Sequence, residues 1–298
     1  MILMMMKILK QARTAFSLLN PEEVRSRARR PVRFGLVATS DAAYAEMEDF
    51  LAPSEGPLED RTYLLDRVHR AGDAVVPDKV DLILFEQGIA APPGTYTFYR
   101  NNPSATIGAI LDGNDDLWLA LARQYPAFRR PVVERTIHAI ARENALFAVA
   151  TALPDVIPSL VELPWAFGEF ASDTAFLTGN QIRMAFLIAA ACGRDAGFGR
   201  QKGAILSIAA GAFGWRALAR ELVGKIPLGG GLIPKGAIAY AGTYVVGKGL
   251  EHYYRANSGY TRAQRRAAYR EALERGRTVV ESAAKGSVSR LGSQRGVE

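Results

Sequence analysis

The sequence predicts an α+β protein, a small N-terminal α/β layer followed by a larger all-α helical domain. Three observations predict it. Between Arg33 and Arg123 short, nearly continuous apolar runs alternate with helical patterns, as in parallel sheets covered by helices. After Pro126 the apolar positions recur at helical spacing and no strand-like run follows. The stretch Thr174–Tyr254 is rich in Ala and Gly, and Gly, Pro and single charges cut it into pieces suited to close-packed helices. With 49% hydrophobic and 22% charged residues over 298 positions, the composition is that of a globular chain and excludes a disordered one.

Taken in order, Met1–Asn20 reads as a basic amphipathic helix. Met5, Ile8, Ala12, Phe16 and Leu19 share one face, and Lys7, Lys10, Thr14 and Ser17 the other. Asn20-Pro21 ends it, because the residue before proline avoids the helical region. A linker completes a first segment, 1–32. The α/β layer, 33–126, contains strands at Arg33–Thr39, Val80–Phe85, Thr95–Tyr99 and Thr106–Leu111. Its helices are Ala42–Leu51, Asp60–Ala71 with Leu64, Leu65 and Val68 inward, and Asn114–Arg123, whose acids lie at the favourable end of the helix dipole. The helical domain, 127–256, opens with Arg130–Ala152, Pro131 lying in its first turn. A proline-bent connector, Leu153–Pro164, leads to helices Trp165–Phe176 and Gln181–Cys192, then the loop Asp195–Arg200. Lys202–Val223 and Lys235–Arg255 are joined by the Gly/Pro turn Ile226–Pro234, and Ala237, Ala241, Gly242 and Gly247 admit a neighbouring backbone. The last segment, 257–298, is a charged helix, Thr261–Ser282, with a tail expected to fray beyond Lys285.

The formal net charge of +7 is concentrated at the two ends. Lys7, Lys10, Arg13 and Arg25 to Arg33 make the start basic, and arginines from Arg255 to Arg295 make the end basic, around a mildly acidic middle. Such ends suit a polyanionic partner, whether anionic lipid, nucleic acid or acidic protein; they also serve solubility alone. The charge-free runs Gly203–Trp215, Gly236–Gly247 and Asn144–Pro154 are shorter than the roughly 20 residues a span needs, so they read as buried helices. Lys7 and Lys10 interrupt what would be the core of a signal peptide. The single Cys192 excludes an internal disulfide, fits a reducing cytoplasm and reads as a small buried hydrophobe in an apolar run.

Chemistry-bearing patterns are few. Ala38-Thr-Ser-Asp-Ala-Ala-Tyr44 sits where a phosphate-binding loop follows the first strand, but it has neither the glycines nor the lysine that wrap a phosphate. Asp112-Gly-Asn-Asp-Asp116 resembles the start of a calcium loop, yet Leu117 stands at the glycine position and Arg123 at the bidentate acid; a turn with helix capping is the expectation. His69, His138 and His252 are far apart, and with one cysteine no metal-ligand spacing arises. No metal, no cofactor and no catalytic residue is expected. His252-Tyr-Tyr-Arg255 with Tyr260 places aromatics among bases, a composition suited to a single strand, to a membrane interface, or to the polar cap of a bundle.

The run Phe176-Leu-Thr-Gly-Asn-Gln-Ile-Arg-Met-Ala185, with Ile188-Ala-Ala and Gly193, resembles the start of the YcjF-like domain, a bacterial domain of unknown function. Ile226-Pro, the glycines to Gly236, Ala241-Gly-Thr-Tyr-Val-Val-Gly-Lys248 and Tyr253-Tyr254 are similar to its second half, and Glu143-Asn-Ala-Leu-Phe to its lead-in. The resemblance covers about 140–255 and marks Thr178, Asn180, Gln181, Thr243, Tyr244 and Gly247 as motif positions, with packing as their default role. It implies a helical module that works with a GTPase-like layer, here a degenerate one at 33–126, since the phosphate loop and a guanine-reading motif are absent.

The functional expectation is therefore a non-catalytic scaffold, cytoplasmic and peripheral at the inner membrane. Its membrane contact would be Lys7, Ile8, Lys10, Arg13, Phe16 and Leu19, and its partner a GTPase-like protein or a second copy of itself. A pseudo-GTPase with weak nucleotide binding is the first alternative, and nucleic-acid binding through the basic ends is the last.

Overall fold

A computed structural model describes residues 20–55, 58–72, 80–150, 173–197, 199, 201–203, 232–256, 258 and 260–294. The expected contact residues Lys7, Ile8, Lys10, Arg13, Phe16 and Leu19 lie outside them. So do the connector 153–164, the start of the helix expected at 165–176, most of 202–223 and the turn 226–234, apart from residues 232–234. The chain divides into two compact units, one of residues 22–134 and 189–195, the other of 1–21, 135–188 and 196–298.

The first unit holds a four-stranded parallel sheet in the order β2-β1-β3-β4. Helix α1 (Pro21–Arg29) precedes β1 (Phe34–Val37), which leads to α2 (Asp41–Leu51) and α3 (Leu58–Leu65). Strands β2 (Val68–Arg70), β3 (Leu82–Glu86) and β4 (Tyr96–Phe98) follow, then α4 (Pro103–Gly113) and α5 (Trp118–Gln124). Phe34 pairs with Val68 on one side and Leu82 on the other, and Leu84 pairs with Tyr96. Phe34, Leu36 and Leu84 are fully buried, as the alternation along a covered strand requires. Phe34 meets Tyr125 edge-to-face at 4.9 Å, and Phe128 closes the same cluster at 6.3 Å from Phe34. The Tyr125 hydroxyl donates to the Val32 carbonyl at 2.6 Å, so the buried ring keeps its polar end satisfied.

Four expectations for this unit are corrected. The helix expected over Asn114–Arg123 starts only at Trp118, so Asp115 and Asp116 precede it and its first turn holds no acid. Thr106–Leu111 is helical, part of α4, because Asn102 caps its start by accepting the Ala105 N–H and Pro103 takes the first helical position. The helix expected over Asp60–Ala71 ends at Leu65, and Val68–Arg70 becomes a strand, since pairing with β1 outweighs local helical spacing. The linker before Arg33 contains α1, with Pro21 at its first position and Glu22 and Glu23 in its first turn.

The described residues of the second unit are mostly helical. Helix α6 (Pro126–Ala150) begins in the first unit and continues into the second, where it is followed by α7 (Asp173–Ala191), α8 (Leu232–Ala256) and α9 (Arg262–Gln294). Phe147 stacks on Phe176 at 3.8 Å, and Glu143 pairs with Arg183, so α6 and α7 run antiparallel. Gly236 lies against Val280 and Gly276 against Tyr240, so α8 and α9 run antiparallel as well. Glycine is required at these crossings. A Cβ on Gly247 would stand 2.7 Å from an Ile137 methyl(ene) carbon, and one on Gly276 would stand 2.9 Å from the Ala237 carbonyl oxygen.

Here too the boundaries differ from expectation. Pro126, not Pro131, takes the start of α6, and Pro131 lies inside the helix, where it removes one backbone bond. The break expected between Phe176 and Gln181 does not occur, since Asp173–Ala191 is one helix, α7; packing on α6 overrides the poor helix propensity of Thr-Gly-Asn. Helix α9 extends past Ser282, where the sequence pattern placed its end, to Gln294, each added residue extending an established helix by one bond. Cys192, just past α7, is half-buried rather than buried. Among the described residues no helix is long and apolar enough to cross a membrane.

Candidate functional site

The carboxyl edge of the parallel sheet is the first place to look for a site. From β1 the chain passes to β2 on one side and later to β3 on the other. Open parallel sheets collect ligands outside the strand ends at such a reversal. After Val37, Ser40 caps α2 by accepting the Ala43 N–H at 3.2 Å. Both donors of Thr39, its N–H and its hydroxyl, go to one oxygen of Glu86 at 2.8 and 2.7 Å. These bonds hold the Glu86 carboxyl below its ordinary pKa, the hydroxyl contributing most and the backbone N–H next.

Beside this contact is a cavity of about 400 Å³, lined among others by Met47, Phe98, Glu46, Glu86 and Arg100. Arg100 is ion-paired with Glu46. Asp41 opens α2, where it already occupies the positive end of the helix dipole, with Arg70 3.4 Å away. A phosphate at this edge would need free N–H donors and a lysine. Here a carboxylate of the chain occupies the Thr39 donors. Asn114, in the acidic stretch that resembles a calcium loop, instead ends α4 and donates to the Ile110 carbonyl at 2.8 Å, while Asp116 pairs with Arg30.

In the helical unit the positions that the sequence resemblance singles out are partly gathered. Thr243 Oγ1 accepts from Asn144 Nδ2 at 2.8 Å and donates to the Ala239 carbonyl. Asn180 Nδ2 donates to Asn144 Oδ1 at 2.9 Å, completing a chain of buried polar groups across α7, α6 and α8. Asn144 is fully buried and Asn180 is 1% exposed, so each lost bond would leave a polar atom without water. Gln181 is buried and Thr178 half-buried, and neither joins that chain. Tyr244 lies 5.2 Å from the His138 ring, with the Arg275 guanidinium 5.8 Å above its own ring. Gly247 gives Ile137 and Met184 their room.

Two participants were not marked as site candidates by sequence. Asn144 is the centre of the buried chain, and its signal was an amide inside the apolar run that follows Glu143. His138 accepts from Arg275 at Nε2 (3.5 Å), so the neutral ring carries its proton on Nδ1 and donates to Tyr240 Oη at 2.5 Å. A hydroxyl–imidazole pair, Ser258 Oγ with His252 Nε2 at 3.1 Å, lies at the C-terminal end of α8. Nucleophilic catalysis would also need an acid to orient the ring, and no described carboxylate bonds to His252.

Comparison with known proteins identified no matching family model, no matching curated protein and no matching solved structure.

Proposed function

We propose that this chain is a non-catalytic scaffold that attaches peripherally to an anionic membrane surface and works with a GTPase-like partner. One observation carries the non-catalytic part. At the strand ends, where a nucleotide would need donors, Thr39 gives both of its own to Glu86. The buried Asn180–Asn144–Thr243 chain supports the same reading, because these amides and the hydroxyl bond to one another across three helices and so serve packing. The basic ends of the sequence support the anionic surface, and the motif resemblance to the YcjF-like family supports the GTPase-like partner and an inner-membrane location.

Flotation of the full chain with phosphatidylglycerol and neutral vesicles, at low and high salt, tests the membrane part. The expected result is flotation with anionic vesicles alone, reduced by salt and abolished by deleting residues 1–20. Absence of flotation under every condition overturns it. The sheet order, with its reversal at β1 and β3, favours a second reading as a weak nucleotide binder. A rise in melting temperature with GTP would establish that reading; no change is expected.

A further inference from the structure

We infer that the groove between α6 and α9 is a binding site for a phosphate monoester group. The groove has a volume of about 420 Å³ and is lined by Arg142, Arg275, Thr278, Val279, Ser282 and Ala283. All the lining residues of this groove belong to the helical unit.

The register of the two helices builds the site. Arg275, Thr278 and Ser282 are three and four residues apart, so they share one face of α9. On α6, His138 and Arg142 are four apart and share a face. His138 accepts from the Arg275 guanidinium, and that guanidinium also lies over the Tyr244 ring and pairs with Glu271 at 2.6 Å. Arg275 is thereby held in place by three neighbours, as a binding arginine must be. Arg142, exposed on the facing helix, has no side-chain partner among the described residues.

The charge pattern names the ligand class. Two guanidiniums line one groove, and none of its lining residues is acidic. Glu271 pairs with Arg275 but does not line the groove. Arg275 has Glu271 as its counter-ion from outside the groove, so the positive charge left to be answered inside it is that of Arg142. A phosphate monoester carries about two negative charges and three acceptor oxygens. Its oxygens match two guanidiniums and the Ser282 hydroxyl, while the Thr278 hydroxyl donates to the Glu274 carbonyl at 3.2 Å and Val279 and Ala283 form the apolar wall. The group could be carried by a soluble metabolite or by a lipid headgroup, and the chemistry at the arginines is shared.

Calorimetric titration of the full chain with inorganic phosphate at low ionic strength tests this. Three proteins are compared: wild type, Arg142→Gln and Arg266→Gln, the last an exposed arginine elsewhere on α9. The expected result is saturable binding by wild type, weakened at least tenfold by Arg142→Gln and unchanged by Arg266→Gln. Equal melting temperatures establish that the variants fold. Ser282→Ala is expected to weaken binding by about threefold. No binding by wild type, or equal weakening by Arg142→Gln and Arg266→Gln, overturns the inference. Titration with glycerol phosphate and with a soluble short-chain phosphatidic acid then separates the sources. Tighter binding of the lipid assigns a headgroup, and equal binding assigns a free phosphomonoester.

Discussion

The sheet unit and the helical unit solve the same packing problem in opposite ways. The sheet unit fills its interior with large rings and aliphatic side chains, Phe34, Tyr125, Phe128, Leu36 and Leu84, and leaves its ion pairs near the surface. The helical unit removes side chains where helices cross, at Gly236, Gly247 and Gly276, and buries amides and hydroxyls among them. The sheet unit therefore depends on volume it has added, and the helical unit on volume it has left out. The first should be most sensitive to truncation and the second to enlargement.

Truncating Phe34 to Ala gives the largest expected effect. It empties the centre of the ring cluster and should lower unfolding free energy by about 4 kcal/mol, read from the urea midpoint. Enlargement separates the units next. Gly276→Val places a branched side chain against the Tyr240 Cβ at 2.8 Å and the Ala237 backbone, and should cost about 3 kcal/mol. Gly108 in α4 has nothing within 4 Å of an added Cβ, so Gly108→Ala should instead stabilise by about 0.5–1 kcal/mol. If both glycine variants shift the melting temperature the same way, the contrast between the units is wrong.

Asn144→Ala tests the buried polar chain. It leaves the Asn180 amide and the Thr243 hydroxyl each short of a partner and should destabilise by about 2 kcal/mol. An isosteric Asn144→Leu that proves as stable as wild type would reduce those bonds to incidental contacts.

The pH dependence gives the smallest effects and sharpens both sides. Burial pushes the Tyr125 hydroxyl strongly up and the Tyr269 hydroxyl up to about 12, from an ordinary value of 10.0. Both folded values are raised, so their stabilisation is complete below pH 10 and is lost as pH rises through the folded values. Alkaline unfolding followed by tyrosinate absorbance should begin above that point, with the ring cluster of the sheet unit resisting longest. Glu86 has the opposite sign: its folded pKa is lowered, so its contribution is present above the ordinary value of 4.5 and declines as pH falls through the folded one. In Thr39→Val the backbone N–H remains and the hydroxyl is gone, so the Glu86 pKa measured by NMR should move part of the way back up.

Much of the sheet unit was legible in particular residues. The strand from Phe34 and the one ending in Glu86 follow from short apolar runs, because a strand buried on one face and half-buried on the other leaves that pattern. Thr106–Leu111 was misread because its β-branched residues outvoted the Asn102-Pro103 start signal three to four positions earlier. Val68 was misread because its partner, Phe34, is distant in sequence, and only pairing makes it a strand. Among the motif positions, Asn180 and Thr243 were singled out with packing as their default role, but their burial and their meeting point at Asn144 were not legible.

By itself the sequence determined the fold class, the order of most elements, the basic ends and the lack of a phosphate-wrapping loop. These depend on local periodicity, on proline and glycine, and on charge, all of which act over a few residues. Tertiary structure alone decided that Glu86 takes the donors of Thr39, that Asn144 joins Asn180 to Thr243, and that Arg142 and Arg275 line one groove. Each of these joins residues from 36 to 133 positions apart. No local propensity encodes such a pairing; it exists only when the packing of helices and strands brings the side chains together.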